Sequence, residues 1–576
     1  VRFSLRPPKF MELNKYNNLL ELFYFQYNQQ DRKNIFLSPL NNYDNSFNWG
    51  QTFDCIQKLS NELDLNLQNN DRCLLISENR PEWLISDLAI MLSRGITVPA
   101  YTTYTDRDYE YLINDSRPTV IIISNQTQYD KIEKILKRND FIKLVISFDE
   151  INSDYENLIN IKNIFEKKNY KEKDLLKIDL KRTDLASIIY TSGTQGNPKG
   201  VMLSHGGILN NCEGSFNLLK EIISSKPKFL TWLPLSHSYE HTVQFVQIAT
   251  GAEIYYAESI DKLIKNMGEC EPDIMTAVPR FYQNLYQKIN SNFNKSKGLK
   301  KFLINKTLDL GKKRLLKKEI SFIDNIFQKI CDQTVRKKIK AQFGGSLKAF
   351  ISGGGALDKE VGQFLNAIGL PTLQGYGLTE TSPVVSCNPI KDIKIETVGP
   401  PFSGNTVKIA RHAEILIIGE NVMLGYWMNQ EETDKVLKNG WLYTGDIGHF
   451  ENGYLKITDR KKDILITPGG DNISPIKIEN YLTKINFIEQ ALVYGDNKPY
   501  LVALIVLSED KKNLDNEIIT NELEKMNKNL TNIEKIKKFF VIKEQFTIEN
   551  GMMTPTLKLK RYKIIQMYKK EFEKLY

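Results

Sequence analysis

Residues 188–200, IIYTSGTQGNPKG, continued by VMLSH at 201–205, decide how this chain is read. An apolar strand runs into a loop of Thr, Ser, Gly and Lys. Glycines let the backbone turn tightly and bring N–H groups against a phosphate. The hydroxyls add donors, and Lys199 adds a mobile positive charge. The spacing is not the GxxxxGK[ST] of ordinary nucleotide hydrolases, because no GK[ST] follows the glycines.

Outward from this loop the pattern alternates. Residues 71–77 (DRCLLIS) read as a buried strand, 80–94 (RPEWLISDLAIMLSR) as a helix, and 96–100 (ITVPA) and 119–124 (TVIIIS) as strands again. Strand, helix, strand at this spacing predicts βαβ units and a parallel sheet. The same signal returns at 144–147, 186–190, 229–233 and 349–352. After about residue 395 shorter strands with turns take over, at 414–418 and 454–458. The last stretch, from 459 on, reads as a separate α+β unit with strands at 492–494 and 501–507 and a basic helical tail. The expected fold is therefore α/β. A large N-terminal domain (1–458) has parallel and mixed sheets flanked by helices, and a small α+β C-terminal domain spans 459–576.

Composition limits the classes. With 576 residues, 41% hydrophobic and 26% charged, the chain is an ordinary globular protein with a sizeable core. Six scattered cysteines, with no CxxC pair, argue against a zinc ribbon, a redox dithiol or a secreted disulfide framework, and predict free thiols in a reducing compartment. No run of about 18 apolar residues predicts a membrane-spanning helix, and no apolar segment of a targeting signal follows the basic start. Met11 opens a helical pattern, so residues 1–10 read as an over-extended start. The net charge is +9, and residues 288–340 alone carry sixteen Lys/Arg against four acids, +12. This stretch reads as a helical, Lys-rich insertion. The remainder is near neutral, which argues against a nucleic-acid-coating protein.

Four further motifs follow in order: QGYGLTETSP at 374–383, YTGDIG at 443–448, DRKKD at 459–463 and TPTLKLKR at 554–561. Together with TSGTQGNPKG they resemble the adenylate-forming superfamily of acyl-CoA synthetases, peptide-synthetase adenylation domains and luciferases, over roughly residues 35–565. Three stretches resemble its long-chain fatty acid–CoA ligases most closely: 79–101, the insertion following VPRFYQNLY at 278–286, and ENGMMTPTLKLKR at 549–561.

The resemblance implies a fold with a small distorted barrel and a mobile C-terminal domain. It implies ATP, Mg²⁺ and CoA as cofactor and co-substrates, and two half-reactions: fatty acid plus ATP gives acyl-AMP and pyrophosphate, then CoA displaces AMP. Thr191, Ser192, Gly193, Thr194, Gly196 and Lys199 would hold the β- and γ-phosphates. Glu380, helped by Thr191, would bind Mg²⁺, a hard ion usually held by one or two carboxylates plus phosphates. Thr379 would touch the α-phosphate. Tyr376 would stack on adenine within Gln374–Gly377, where Gly375 and Gly377 leave room. Gly353, Gly354 and Gly355 would border adenine and acyl chain. Asp446 would accept the ribose hydroxyls and Arg460 would donate to the ribose. Lys558 would neutralise the transition state, and His237 would lie near the incoming carboxylate. Lys462 would be the hinge, and Gly469–Gly470 would line the CoA tunnel. Pro468, Ile466 and Thr467 depart from the family pattern beside that tunnel. His205, His241, His412 and His449 show no metal spacing. A ligase passing the acyl group to a carrier protein stays open. So does a non-catalytic membrane- or RNA-binding protein built on the basic insertion, although the intact set Lys199, Glu380, Asp446, Arg460 and Lys558 speaks against it. Expected partners are the fatty acid, ATP and CoA, with an anionic membrane surface as a peripheral contact of a cytoplasmic protein.

Overall fold

The structure is a computed structural model, and it describes residues 13–191, 198–469 and 471–576. Two eight-stranded sheets form the large domain. One carries, side by side and parallel, Lys228–Thr231, Ile274–Ala277, Ala349–Ser352 and Thr372–Gly377, and ends in the antiparallel strand Val384–Cys387. The other has Arg72–Ile76, Ile96–Ala100 and Val120–Ile123 at its centre. Toward one edge lies the antiparallel pair Leu185–Thr191 and Lys199–Ser204, with the short strand Gly425–Tyr426 outermost. These central strands read as near-continuous apolar runs because helices cover both faces. The main core lies between the sheets, where Leu84, Leu88, Ile208, Phe216 and Phe245 of three covering helices are buried.

The helix Pro81–Leu92 shows the local logic. Proline at the first helical position fixes φ and loses no hydrogen bond, and eleven of its twelve residues are buried, as expected of a helix sandwiched between sheets. The helical pattern near Met11 becomes a short turn at Leu13–Lys15 and then the helix Leu19–Gln29, which the Asn18 side chain caps through the Glu21 N–H.

Beyond residue 400 an antiparallel sheet of five strands forms. Its long strand Trp441–Glu451 pairs first with Glu414–Gly419 and then with Tyr454–Arg460. Among the described residues this ladder does not close on itself. Backbone bonds between Val398, Gly399 and Leu455 tie it to the neighbouring sheet, an open form of the expected barrel. Asp446 and Arg460 are paired on its last rung, so the ladder runs two residues past the expected break at 458.

The smaller C-terminal domain holds the strands Ile488–Tyr494, Leu501–Leu507 and Ile536–Ile542. Leu501–Leu507 is buried at every position. Its contact with the large domain is mostly polar. Lys484 bridges to Asp358 and Glu360 at 3.1 and 3.3 Å. Arg280 donates to the Glu489 carbonyl at 2.8 Å, and Gln287 to that of Thr483 at 3.3 Å. Leu557 is the apolar exception, packed against the cluster of Leu233, Tyr239, Val243 and Val278.

Candidate active site

A cleft of about 3020 Å³ lies where strand ends of the large domain meet the loop 554–559 of the small one. Parallel strands leave their carboxyl ends as natural places for a ligand, and the site gathers there. After Ala349–Ser352 the chain turns through Gly353–Gly355. Gly354 has φ +78°, which glycine adopts without penalty. A Cβ on Gly353 would stand 2.8 Å from the Tyr239 ring, so no larger residue fits.

The strand Thr372–Gly377 enters next. Gln374 is buried, and its Oε1 accepts the Leu357 N–H at 2.9 Å, so it holds the glycine turn in place. The hairpin itself requires the two glycines flanking Tyr376. A Cβ on Gly377 would lie 1.8 Å from the Pro383 carbonyl, and one on Gly375 3.2 Å from that of Ser386. Gly375, Tyr376 and Gly377 all line the cleft.

Three linked pairs fix the polar wall. Tyr376 donates through its hydroxyl to Asp446 Oδ2 at 2.7 Å, and Arg460 Nε donates to Oδ1 at 2.9 Å. Burial and the Asp446 charge raise the Tyr376 pKa well above its usual value, so the phenol stays a donor. Tyr426 donates to Glu380 Oε1 at 2.9 Å, leaving Oε2 without a hydrogen-bond partner among the described residues. Lys199 is ion-paired with Glu432 and lies 5.0 Å from the centre of the Tyr426 ring. Hydrogen bonds from Lys199 and Lys435 hold Glu432 down at about 2. Thr379 begins a single 3₁₀ turn, Thr379–Thr381, and shares a 3.0 Å hydrogen bond with Ser238.

His237 caps the helix Ser238–Ala249: its Nδ1 accepts the Tyr239 N–H at 3.1 Å. Burial, with the Lys558 charge, drops its pKa to about 3, so the imidazole is neutral and carries its proton on Nε2. Lys558 reaches in from the small domain. Its Nζ lies 3.9 Å from where a Gly354 Cβ would be. The residue is held by its own loop, its N–H bonded to Thr554 Oγ1 at 3.0 Å and its carbonyl to the Thr554 N–H at 2.8 Å. Crowding by protein atoms lowers its pKa to about 8, and Arg460 and Lys462 push in the same direction, although water in the cleft still reaches the ammonium.

Thr191, Glu380, Asp446, Lys462 and Lys558 thus line one cleft. Ser192, Gly193, Thr194, Gly196 and Gly470 lie outside the described residues. Gly469 is exposed in the turn between Leu465–Ile466 and Asn472–Ile473 and does not line the cleft in this orientation. Among the described residues no group of three His, Cys, Asp or Glu converges as a metal cage. One free Glu380 oxygen beside a phosphate fits a hexacoordinate ion that keeps waters and phosphate oxygens. A separate apolar arm of the cleft runs past Val243, Val246, Phe229 and Ile274 to Leu219 and Phe402.

Residues 25–427 match the family described as AMP-binding enzyme, and 462–576 match the AMP-binding enzyme C-terminal domain. The chain belongs to the AMP-binding enzyme family. Within that family it is 31% identical to long-chain-fatty-acid–CoA ligase 5 of Mus musculus over 87% of this chain and 79% of that one. It is 29% identical to long-chain-fatty-acid–CoA ligase FadD15 of Mycobacterium tuberculosis over 89% of each. Among solved AMP-binding folds, the anthranilate CoA ligase AuaEII in complex with anthranoyl-AMP superposes with a TM-score of 0.77 at 19% identity, covering 98% of this chain and all of that one. ATP-bound MatB of Rhodopseudomonas palustris gives 0.73 at 21% identity, covering 96% and 99%.

Sequence reasoning passed over three members of this AMP-binding site. Tyr426 and Glu432 sit in GYWMNQEET at 425–433, a run with a signal as distinct as the other motifs. Ser238 lies beside the noticed His237. The carboxylate partners of the small domain, Asp358 and Glu360, left no pattern to find.

Proposed function

We propose that this AMP-binding enzyme activates a long-chain fatty acid with ATP and passes the acyl group to CoA. The observation that carries the reading is the meeting of Lys558 with Glu380, Thr379 and the Asp446–Arg460 pair in a cleft whose other arm is apolar. ATP would lie with its β- and γ-phosphates at Lys199 and the 191–199 loop, its ribose on Asp446 and Arg460, and its adenine against Tyr376. Glu380 would hold Mg²⁺, assisted by Thr191. The ion supplies charge neutralisation at the phosphates. The fatty acid carboxylate, near His237 Nε2, attacks the α-phosphorus, and pyrophosphate leaves. Charge grows on the phosphoryl oxygens as it does so, and the unpaired ammonium of Lys558 and the hydroxyl of Thr379 stand ready for it. The CoA sulfur, having given up its proton, then attacks the acyl carbonyl and AMP leaves.

The two steps call for two orientations of the small domain, with a hinge at Lys462 and a boundary beside it. The presence of Lys558 in the cleft, with Gly469 outside it, fits the first step. A turn brings Gly469 and Gly470 toward the CoA path in the second. The positive helices of 288–340 support peripheral contact with anionic lipid, each basic residue near such a surface contributing about 1 kcal/mol.

The test measures pyrophosphate release over a panel of acids, with and without CoA. Palmitate should give acyl-AMP alone, and acyl-CoA once CoA is added. Turnover of aryl acids with none of fatty acids overturns the substrate. Transfer to a carrier protein but not to CoA overturns the acceptor.

A further inference from the structure

The basic insertion carries more than charge. Its helices Gly298–Leu315 and Phe322–Cys331 lie side by side, joined by Lys306 and Lys313, which both bind Asp324 at 2.6 and 3.2 Å. On the second helix Phe322, Ile323, Ile326 and Ile330 are 80%, 64%, 48% and 40% exposed. At about 100° per residue these four fall within a single arc of about 100°. The first helix extends the patch. Phe302 is half exposed and meets Phe327 edge-on at 5.8 Å, and Leu299, one turn earlier, is 73% exposed.

A lone protruding isoleucine needs no explanation, but a contiguous apolar face of this size on a folded domain marks a contact surface. Its surroundings identify the contact. Lys295, Lys297, Lys300, Arg314, Lys318 and Lys329 are exposed, with no carboxylate at ion-pair distance among the described residues. Lys329 falls about 20° from Phe322 around the helix, directly on the edge of the stripe. A second copy of the chain would bring like charges face to face. An apolar stripe edged with lysines is the chemistry of a helix lying in a lipid headgroup layer. No helix among the described residues is long and apolar enough to cross a membrane.

We propose that this face docks on an anionic lipid bilayer and inserts Phe322, Ile323 and Ile326 beneath the headgroups, while the flanking lysines contact the lipid phosphates. This deepens, and rests on, the reading of the insertion as membrane-facing. Lys312 of the first helix lines the cleft, and Leu316, one turn on, is 55% exposed. The first helix thus runs from the exposed face to the cleft wall.

Charge alone and charge with insertion differ in salt. The full chain is sedimented with phosphatidylcholine vesicles, with and without phosphatidylglycerol, from about 0.15 M to about 1 M salt, where screening shortens from about 8 to about 3 Å. The parent should bind the anionic vesicles, weaken with salt and keep a residual salt-resistant fraction. The variant Phe322→Ser/Ile323→Ser/Ile326→Ser should lose that fraction, with partitioning reduced at least about tenfold. The variant Lys300→Gln/Lys318→Gln/Lys329→Gln should lose mainly the salt-sensitive part. Both should keep parent activity on detergent-dispersed acid. Parent binding that salt abolishes entirely, or that the serine variant leaves unchanged, overturns insertion and leaves the peripheral contact standing. No binding to anionic vesicles at low salt overturns both. A self-association that disappears in the serine variant, without vesicle binding, assigns the face to a second copy and also overturns the proposal.

Discussion

On the large-domain side of the cleft the ionised groups of the motifs are engaged: Asp446 with Arg460 and Tyr376, Glu380 with Tyr426, Lys199 with Glu432. On the small-domain side Lys558 has a fixed backbone but no carboxylate at ion-pair distance among the described residues. Arg460 and Lys462, of its own sign, and Asp446 and Asp463, of the opposite sign, act on it without pairing. The first side is largely pre-organised: Asp446, Arg460 and Glu380 are oriented before any nucleotide arrives, and Lys199 alone has to change its partner. The second holds a charge with no fixed counter-ion, free to pair with incoming negative charge. The difference separates groups that bind and orient from the one whose interaction grows in the transition state.

The sharpest way to break this comparison is Lys558→Ala. Adenylation should slow by about 10²–10³-fold, the scale for one lost transition-state contact. Thioester formation from supplied acyl-AMP and CoA should stay near the parent rate. Equal slowing of both steps would make Lys558 one more structural group. The converse variant is Lys462→Pro, which fixes φ near −65° where rotation is required. Acyl-AMP should still form, with thioester formation reduced by about tenfold or more, read from the same pair of half-reaction rates.

A pH profile sharpens the contrast without a large lesion. Lys558 is pushed from the usual lysine value down to about 8, so its charge is present below pH 8 and is lost as pH rises through it. The kcat/KM of adenylation, which reports the free enzyme, should fall about tenfold per unit above that value. Lys558→Arg, always protonated, should flatten this alkaline limb, and an unchanged limb assigns it to another group. The smallest effect is expected on the engaged side. Lys199 must exchange Glu432 for phosphate, and the pair is partly exposed, worth about 1 kcal/mol or less. Glu432→Gln should therefore lower the ATP KM by no more than about fivefold, checked by initial rates. A large rise would mean that Glu432 positions the lysine rather than competing for it.

The strands were legible because their apolar runs are local: 96–100, 144–147, 349–352 and 501–507 coincide with the observed bounds. The motif residues were legible because glycine, hydroxyl and charge recur at short spacing. What joins them was not. Tyr376 finds Asp446 seventy residues on, and Lys199 finds Glu432 across the fold. Such pairs depend on how strands are ordered in space and leave no periodic trace. A second constraint on Gly377 was hidden for the same reason: the Pro383 carbonyl opposite, which only the hairpin's register reveals. The apolar stripe of residues 322–330 lay inside a stretch read for its lysines, and only the structure shows that face uncovered.

The bridge from Lys484 to Asp358 and Glu360, with Arg280 and Gln287 beside it, is what the turn proposed for the small domain has to break. Each of these polar bonds exchanges for water at a net cost of about 1 kcal/mol, so the polar part of the contact holds this orientation by a few kcal/mol, with the packing of Leu557 added to it. A two-state equilibrium of that depth is reversed by a ligand preferring one state by a factor of about 10⁴ or less.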